Sequence, residues 1–167
     1  MPLLKNGAVV SDPWQRVVKD EALPAAGPVI VPFARWQAER GILLGRNAPL
    51  GVRLTNSDAV GALAADLDRL DVIVLEFPKF SDGRAYSQAR LLRERYGYRG
   101  ELRATGHVLR DQLLFMQRCG FDAFELMNDQ PTQAWVAAIN EFTVFYQPTA
   151  DGRATVLQHR RAAAEAI

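Results

Sequence analysis

The sequence has little of what marks several common functional classes. Its 167 residues include one cysteine and two histidines, which excludes an intrachain disulfide and leaves no histidine and cysteine spacing typical of a metal site. No apolar run approaches the ~18 residues of a membrane helix, and the first residues lack the apolar core of a signal peptide. We therefore expect a cytoplasmic protein with no metal site and no membrane partner.

An excess of charge of one sign is also lacking. Lysine and arginine number 20 against 19 aspartate and glutamate residues, which gives a net charge of +1, so no overall field favours nucleic acid. The sequence contains no glycine pattern of a dinucleotide site, no Walker motif and no C-x-x-C pair, and it leaves the cofactor undefined. The single cysteine, Cys119, lies in an apolar helical pattern and is predicted to be a core residue.

What the chain does contain is a regular alternation of strands and helices. Five apolar or β-branched runs are predicted strands, each followed by a helical pattern: Val29–Phe33, Leu50–Leu54, Val72–Phe77, Glu101–Thr105 and Ala123–Leu126. This alternation predicts a single α/β domain with a mostly parallel five-stranded sheet and flanking helices. A flavodoxin-like open sheet is the first prediction, and a half-TIM-barrel with sequentially ordered strands is the alternative.

Two segments flank this domain, which is predicted to cover residues 28–148. Residues 1–27 begin with apolar residues on both sides of Asn6-Gly7, which predicts a β-hairpin followed by an irregular loop. Within the domain, an apolar stripe predicts a helix over Ser57–Leu70. The alanine-rich tail, residues 149–167, is predicted to be either disordered or a weak helix that packs on a partner.

One loop concentrates polar and charged residues directly after the most hydrophobic predicted strand. Pro78 ends this strand, and the next helix is predicted to begin at about Arg84. Free N–H groups at a helix start, a flexible glycine and two cations suit phosphate, sulfate or a carboxylate. The loop therefore predicts ligand-binding residues at the carboxyl edge of the sheet: Lys79, Ser81, Asp82, Gly83 and Arg84. A structural interpretation stays open, in which Asp82 caps the helix and neutralises Arg84.

The carboxyl ends of the later strands should reach the same edge. Thr105 ends the fourth predicted strand, and Glu125 and Asn128 lie at the end of the fifth. Because parallel strands finish side by side, Thr105 and Glu125 are predicted to contribute to ligand binding together with the loop.

Two residues near this edge are candidates for acid–base chemistry. His107 opens a predicted helix, and imidazole changes its charge near neutral pH. Glu76 lies near the end of an apolar strand, where a carboxylate needs a partner. A structural ion pair is therefore the competing interpretation of Glu76, and its predicted partner is Arg53, Arg103 or Lys79.

Three stretches of the chain resemble one bacterial protein family. They are LEFPKFSDGRAYSQARLLR from Leu75, GELRATGHVLRDQ from Gly100 and CGFDAFEL from Cys119, and the hairpin followed by Asp12-Pro13-Trp14 is also similar. The family is known as domain of unknown function 934, and the resemblance covers nearly the whole chain. Members are commonly encoded beside assimilatory sulfite reductase and are sometimes labelled oxidoreductases. The resemblance implies a role in sulfur assimilation and supplies no catalytic residues.

These observations leave three functions open. The first is an accessory protein of sulfate/sulfite assimilation that binds a small anion, or a partner enzyme such as sulfite reductase, at the carboxyl edge of the sheet. The second is an enzyme that acts on an anionic small substrate, with Glu76 or His107 as acid or base and with Lys79 and Arg84 holding the substrate. The third, an oxidoreductase of the sulfite reductase pathway, is weaker because the phosphate-binding glycines are missing. Self-association of the chain is compatible with all three.

Overall fold

Eight strands form one sheet in the computed structural model of this chain, which describes residues 2–18, 20–126 and 132–165. The strands are β1 (Leu3–Lys5), β2 (Ala8–Val10), β3 (Gln15–Arg16), β4 (Val29–Pro32), β5 (Leu50–Leu54), β6 (Val72–Phe77), β7 (Glu101–Gly106) and β8 (Ala123–Glu125). Their order across the sheet is β2-β1-β8-β7-β6-β5-β4-β3. The sheet is wider than the five strands predicted because the hairpin β1–β2 and the short strand β3 both join it.

The α-helices are α1 (Phe33–Leu44), α2 (Arg84–Arg90), α3 (Leu113–Arg118), α4 (Thr132–Ile139) and α5 (Val156–Glu165). Helices α1, α2 and α3 each connect two parallel strands, and α4 and α5 follow the last strand. A π-helical turn, Leu91–Arg95, extends α2. The predicted Asn6-Gly7 hairpin is confirmed, since these two residues have φ angles of 50° and 80° between β1 and β2.

The prediction of a helix over Ser57–Leu70 is wrong. The segment instead forms two 3₁₀ turns, Val60–Leu63 and Leu67–Arg69. Between them, Asp66 leaves helical geometry with a φ of −124°, and its carboxylate accepts hydrogen bonds of 2.6 and 2.7 Å from Arg40. This long-range ion pair fixes the turn at Asp66, and a local apolar pattern does not encode it.

The strand order selects the half-barrel alternative. Strands β3 to β8 are parallel neighbours in the order of the chain, whereas a flavodoxin-like sheet reverses its strand order at a switch point. The α/β class, the mostly parallel sheet and the N-terminal hairpin are confirmed. Because sequential crossovers share one hand, the helices cover the same face of the sheet.

The sheet is strongly curled, which follows from one short connection. The chain passes from β2 to β3 through Ser11–Trp14, although six strands lie between them in the sheet. In a flat sheet the two strands would be about 34 Å apart, and the chain from Val10 to Gln15 spans at most about 18 Å. The two edges of the sheet must therefore approach each other across its concave face.

The two faces of the sheet have opposite chemistry. Alternate residues of β6, Ile73, Leu75 and Phe77, are fully buried against the helices in the main core. The other alternation faces the concave side, where Val72 and Val74 pack with Ile30 and Trp14. Beyond this apolar patch the concave face carries charged residues, which are described below.

Candidate functional site

A row of three predicted site residues crosses the concave face near the carboxyl edge. Glu76 of β6 and Thr105 of β7 are register partners, and the Thr105 hydroxyl donates a 2.5 Å hydrogen bond to Glu125 of β8. The period of two along each strand places all three side chains on this face. The parallel sheet thus brings Glu76, Thr105 and Glu125 together, as the sequence predicted.

The inner end of this row is a buried charge network. Glu125 is 2% exposed and forms ion pairs with Arg16 and with Arg103, which is 0% exposed. Arg103 also lies 2.8 Å from Asp12 and 2.7 Å from Glu101. Buried Arg103 and Glu125 thus pair with the partly exposed Asp12 and Arg16, and the network joins distant strands of the sheet.

The outer end of the row is accessible. The carboxylate of Glu76 lies 2.8 Å from the Arg53 guanidinium, and the two side chains are 26% and 43% exposed. Arg53 was one of the three predicted partners of Glu76. The closest atoms of this pair are Nη2 of Arg53 and Oε2 of Glu76.

A cavity of about 330 Å³ opens beside this ion pair. It lies at the carboxyl ends of β4, β5 and β6, where α/β proteins commonly bind small molecules. Its polar lining comes from Arg53, Glu76, Thr55 and Asp58, and its apolar lining comes from the β4–α1 junction: Pro32, Phe33 and Ala34.

The start of α1 adds a partial positive charge to this cavity. Pro32 occupies the N-cap position, and within the described chain no side chain caps the helix and no acidic residue lies in its first turn. Free backbone N–H groups at a helix start favour an anionic group. The cavity therefore combines one guanidinium, an uncapped helix start and two carboxylates.

The predicted loop from Lys79 to Arg84 contacts the turn formed by residues 55–58. Asp82 accepts a 2.5 Å hydrogen bond from the Asn56 amide in that turn. It also accepts hydrogen bonds of 2.7 and 3.0 Å from the Arg84 guanidinium and one of 3.2 Å from the Arg84 backbone N–H. The hydrogen bond from Arg84 holds the pKa of Asp82 at about 2, below its usual 3.8.

The loop's own carboxylate thus occupies the place at the start of α2 that an anion would take. Asp82 neutralises Arg84, which is the structural interpretation that the sequence left open. Lys79, Ser81 and Gly83 are exposed on the surface. Of the nine predicted site residues, only Glu76 lines the cavity.

His107 lies at the carboxyl edge outside the cavity. Its side chain is exposed, and its backbone N–H donates a 2.8 Å hydrogen bond to the Phe77 carbonyl. Gly106 permits this close approach of β7 to β6, because its φ is 87° and a Cβ there would collide with the Phe77 oxygen. Asn128, also predicted at this edge, lies outside the described residues.

Sequence reasoning missed most of the cavity lining. Phe33 was predicted to end a strand, and Ala34 was predicted to begin the helical pattern that follows it. Asp58 was predicted to lie in the helix over Ser57–Leu70, which does not form. One local signal of the uncapped helix start was present in the sequence, because Pro32 directly precedes the helix and its side chain cannot cap it. Cys119 is buried as predicted, and burial raises the pKa of its thiol.

Among the residues that the structure describes, no group of three or more His, Cys, Asp or Glu residues is placed to hold a metal ion. Among the same residues, no helix has both the length and the apolar character needed to cross a membrane.

Comparison with known proteins locates the chain in one family. No curated protein matches this sequence. A model of a bacterial protein family of unknown function, DUF934, matches residues 51–157. The match runs from β5 to the start of α5 and includes all three central stretches of the resemblance, whereas the hairpin and Asp12-Pro13-Trp14 lie outside it. The match spans more than half of the sequence, and the chain belongs to the DUF934 family of bacterial proteins.

Proposed function

We propose that this protein is an accessory protein of sulfate/sulfite assimilation that binds a small molecule with an anionic group at the carboxyl edge of its sheet. The observation that carries the binding proposal is the cavity in which Arg53 and the uncapped start of α1 lie together. The pathway is supported by the gene neighbourhood that the family resemblance implies. A volume of about 330 Å³ is at the small end of ligand pockets, which suits a metabolite better than a dinucleotide.

Arg53 is better placed than the loop cations to hold the anion. Arg84 already forms a bidentate pair with Asp82, and Lys79 extends from an exposed turn. The Arg53 side chain is 43% exposed and lines a cavity beside apolar side chains, where an ion pair is less screened by water than on an open surface. The ligand is therefore expected to bind in the cavity rather than over Gly83.

Thermal unfolding with sulfate, sulfite or phosphate tests this proposal. At matched ionic strength these anions should raise the Tm relative to chloride, because a ligand that binds only the folded state stabilises it. Arg53→Gln should remove the shift. The double variant Lys79→Ala/Arg84→Ala should keep it, as should the surface control Arg90→Gln.

The opposite pattern, in which only the double variant loses the Tm shift, would show that the anion binds at the loop from Lys79 to Arg84. If neither these anions nor a small carboxylate raises the Tm of the wild-type protein, the binding proposal is wrong. The accessory role has its own test, which is calorimetric titration of purified assimilatory sulfite reductase with this protein. Heat of binding supports that role, and its absence at high micromolar concentrations contradicts it.

An enzyme acting on an anionic substrate is the second candidate, and one observation favours it. Glu76 lies beside Arg53 in the same cavity, so a bound anion would lie within reach of a carboxylate that can accept a proton. Incubating the protein with ligands that bind it, and following the ligands by NMR, distinguishes an enzyme from an accessory protein. Chemical conversion that Glu76→Gln abolishes supports an enzyme, and unchanged ligands support the accessory role.

A further inference from the structure

The charges in the cavity restrict the kind of anion that fits it. Among the described residues, Arg53 is the one side-chain cation that lines it, whereas Glu76 and Asp58 supply two carboxylates. One oxygen of Asp58 accepts hydrogen bonds from the Thr55 backbone N–H and hydroxyl at 2.7 and 2.8 Å, and one oxygen of Glu76 pairs with Arg53. A purely anionic ligand would gain from Arg53 and the start of α1 but would be repelled by these carboxylates.

We infer that the ligand of this cavity is a small zwitterion of the amino acid class, with an ammonium group beside its carboxylate. This inference rests on the proposed function because it concerns the same cavity. The ligand carboxylate binds Arg53 and the free N–H groups of α1, and the ammonium binds Glu76. Both charges of the ion pair then gain a partner, so neither is left uncompensated when the ligand enters.

The spacing of the protein charges supports this class of ligand. Nη2 of Arg53 and Oε2 of Glu76 are 2.8 Å apart, so the positive and negative ends of the site are adjacent. In an α-amino acid the two charged groups are attached to one carbon and are likewise adjacent. A molecule with widely separated charges would reach only one of the two side chains.

The remaining wall of the cavity suits a small carbon side chain. Phe33 is 8% exposed and stacks on Trp36 with ring centroids 5.9 Å apart, which fixes its position. Pro32 and Ala34 complete this wall. Contact with these groups would add apolar burial to the two charge pairs, as in pockets where a few polar groups orient a ligand against an apolar surface.

A matched ligand series tests the inference on the unmodified protein. Alanine, propionate and ethylammonium share a small carbon skeleton. Alanine carries both charges, propionate carries only the negative charge and ethylammonium carries only the positive charge. Titrations followed by NMR at fixed pH and ionic strength should show alanine binding at least about tenfold more tightly than either propionate or ethylammonium. Such a ratio corresponds to about 1.4 kcal/mol.

Two variants test which side chain binds each charged group of the ligand. Glu76→Gln keeps the size of the side chain and should make alanine and propionate bind equally, whereas Arg53→Gln should abolish the binding of both. Glu94→Gln, a surface carboxylate paired with Arg90, should change nothing. Circular dichroism of each variant verifies its fold.

Failure of this inference differs from failure of the proposed function. If propionate binds the wild-type protein as tightly as alanine, the inference of a zwitterionic ligand is wrong, and the proposal of an anion site is retained. If neither alanine, propionate nor any inorganic anion binds, both proposals are wrong.

Discussion

Two arginines at the carboxyl edge of the sheet are each held by a carboxylate, with different consequences. Arg84 and Asp82 are two residues apart in one loop, and Asp82 accepts hydrogen bonds from both the backbone N–H and the guanidinium of Arg84 at the start of α2. Arg53 and Glu76 come from neighbouring strands and meet beside a cavity. The loop cations Lys79 and Arg84 lie within six residues of one another in the sequence. The cavity instead depends on residues that only the sheet brings together.

The pair of Asp82 and Arg84 predicts a specific titration. Because the folded-state pKa of Asp82 is about 2 against a usual 3.8, the ionised form is favoured in the folded protein. The stability from this pair is therefore present above about pH 4 and is lost as the pH falls through 2. Arg84→Gln should raise the pKa of Asp82 towards 3.8, which NMR titration of the carboxyl carbon measures.

The control for this titration is Arg90→Gln, since Arg90 pairs with Glu94 on the same helical segment and does not contact Asp82. Its Asp82 should still titrate near 2. An Asp82 pKa that stays near 2 without the Arg84 guanidinium would assign the shift to the Asn56 hydrogen bond instead.

At the scale of elements, the sequence predicted best where burial alone decides the structure. The bounds of β5 and β6 match their apolar runs because both strands are covered in the sheet interior. Strand β3 was missed because it has two polar residues, Gln15 and Arg16, and exists through backbone pairing with β4. No local pattern contains that pairing.

Helix α5 resolves the two alternatives for the tail in favour of a helix, Val156–Glu165, with none of its residues buried. Thr155 and Gln158 form a capping box, with hydrogen bonds of 2.7 and 3.3 Å in the two directions. Isolated helices of this length are marginal in water. The cap therefore contributes much of the local stability of α5.

Hydrogen exchange should show this marginal stability directly. Amides of α5 are expected to exchange many times faster than those of β6, which open only with global unfolding. Thr155→Ala should cost about 1 kcal/mol of helix stability and reduce α5 protection without changing the Tm, whereas the surface control Ser87→Ala should leave α5 unchanged. Protection of α5 equal to that of β6 would instead mean that the helix is packed against another surface in solution.

For the whole molecule, the strand order was the main feature that the sequence left undecided. A flavodoxin-like sheet and a half-barrel use the same right-handed crossovers, so the alternation of strands and helices is identical in both. What separates them here is contact between residues far apart in the chain. Asp12 reaches Arg103 across the concave face, and Arg16 of β3 reaches Glu125 of β8.

Closure of the sheet should therefore depend on Arg103. Arg103→Met leaves Asp12, Glu101 and Glu125 without the cation that they share, and removing one partner of a buried ion pair costs about 3–5 kcal/mol. The free energy of unfolding in urea should fall by that amount, whereas Arg90→Met, in an exposed pair, should cost less than about 1 kcal/mol. If both variants lose equally little, the network does not hold the curled sheet closed, and apolar contacts such as Trp14 against Val72 and Val74 must do so.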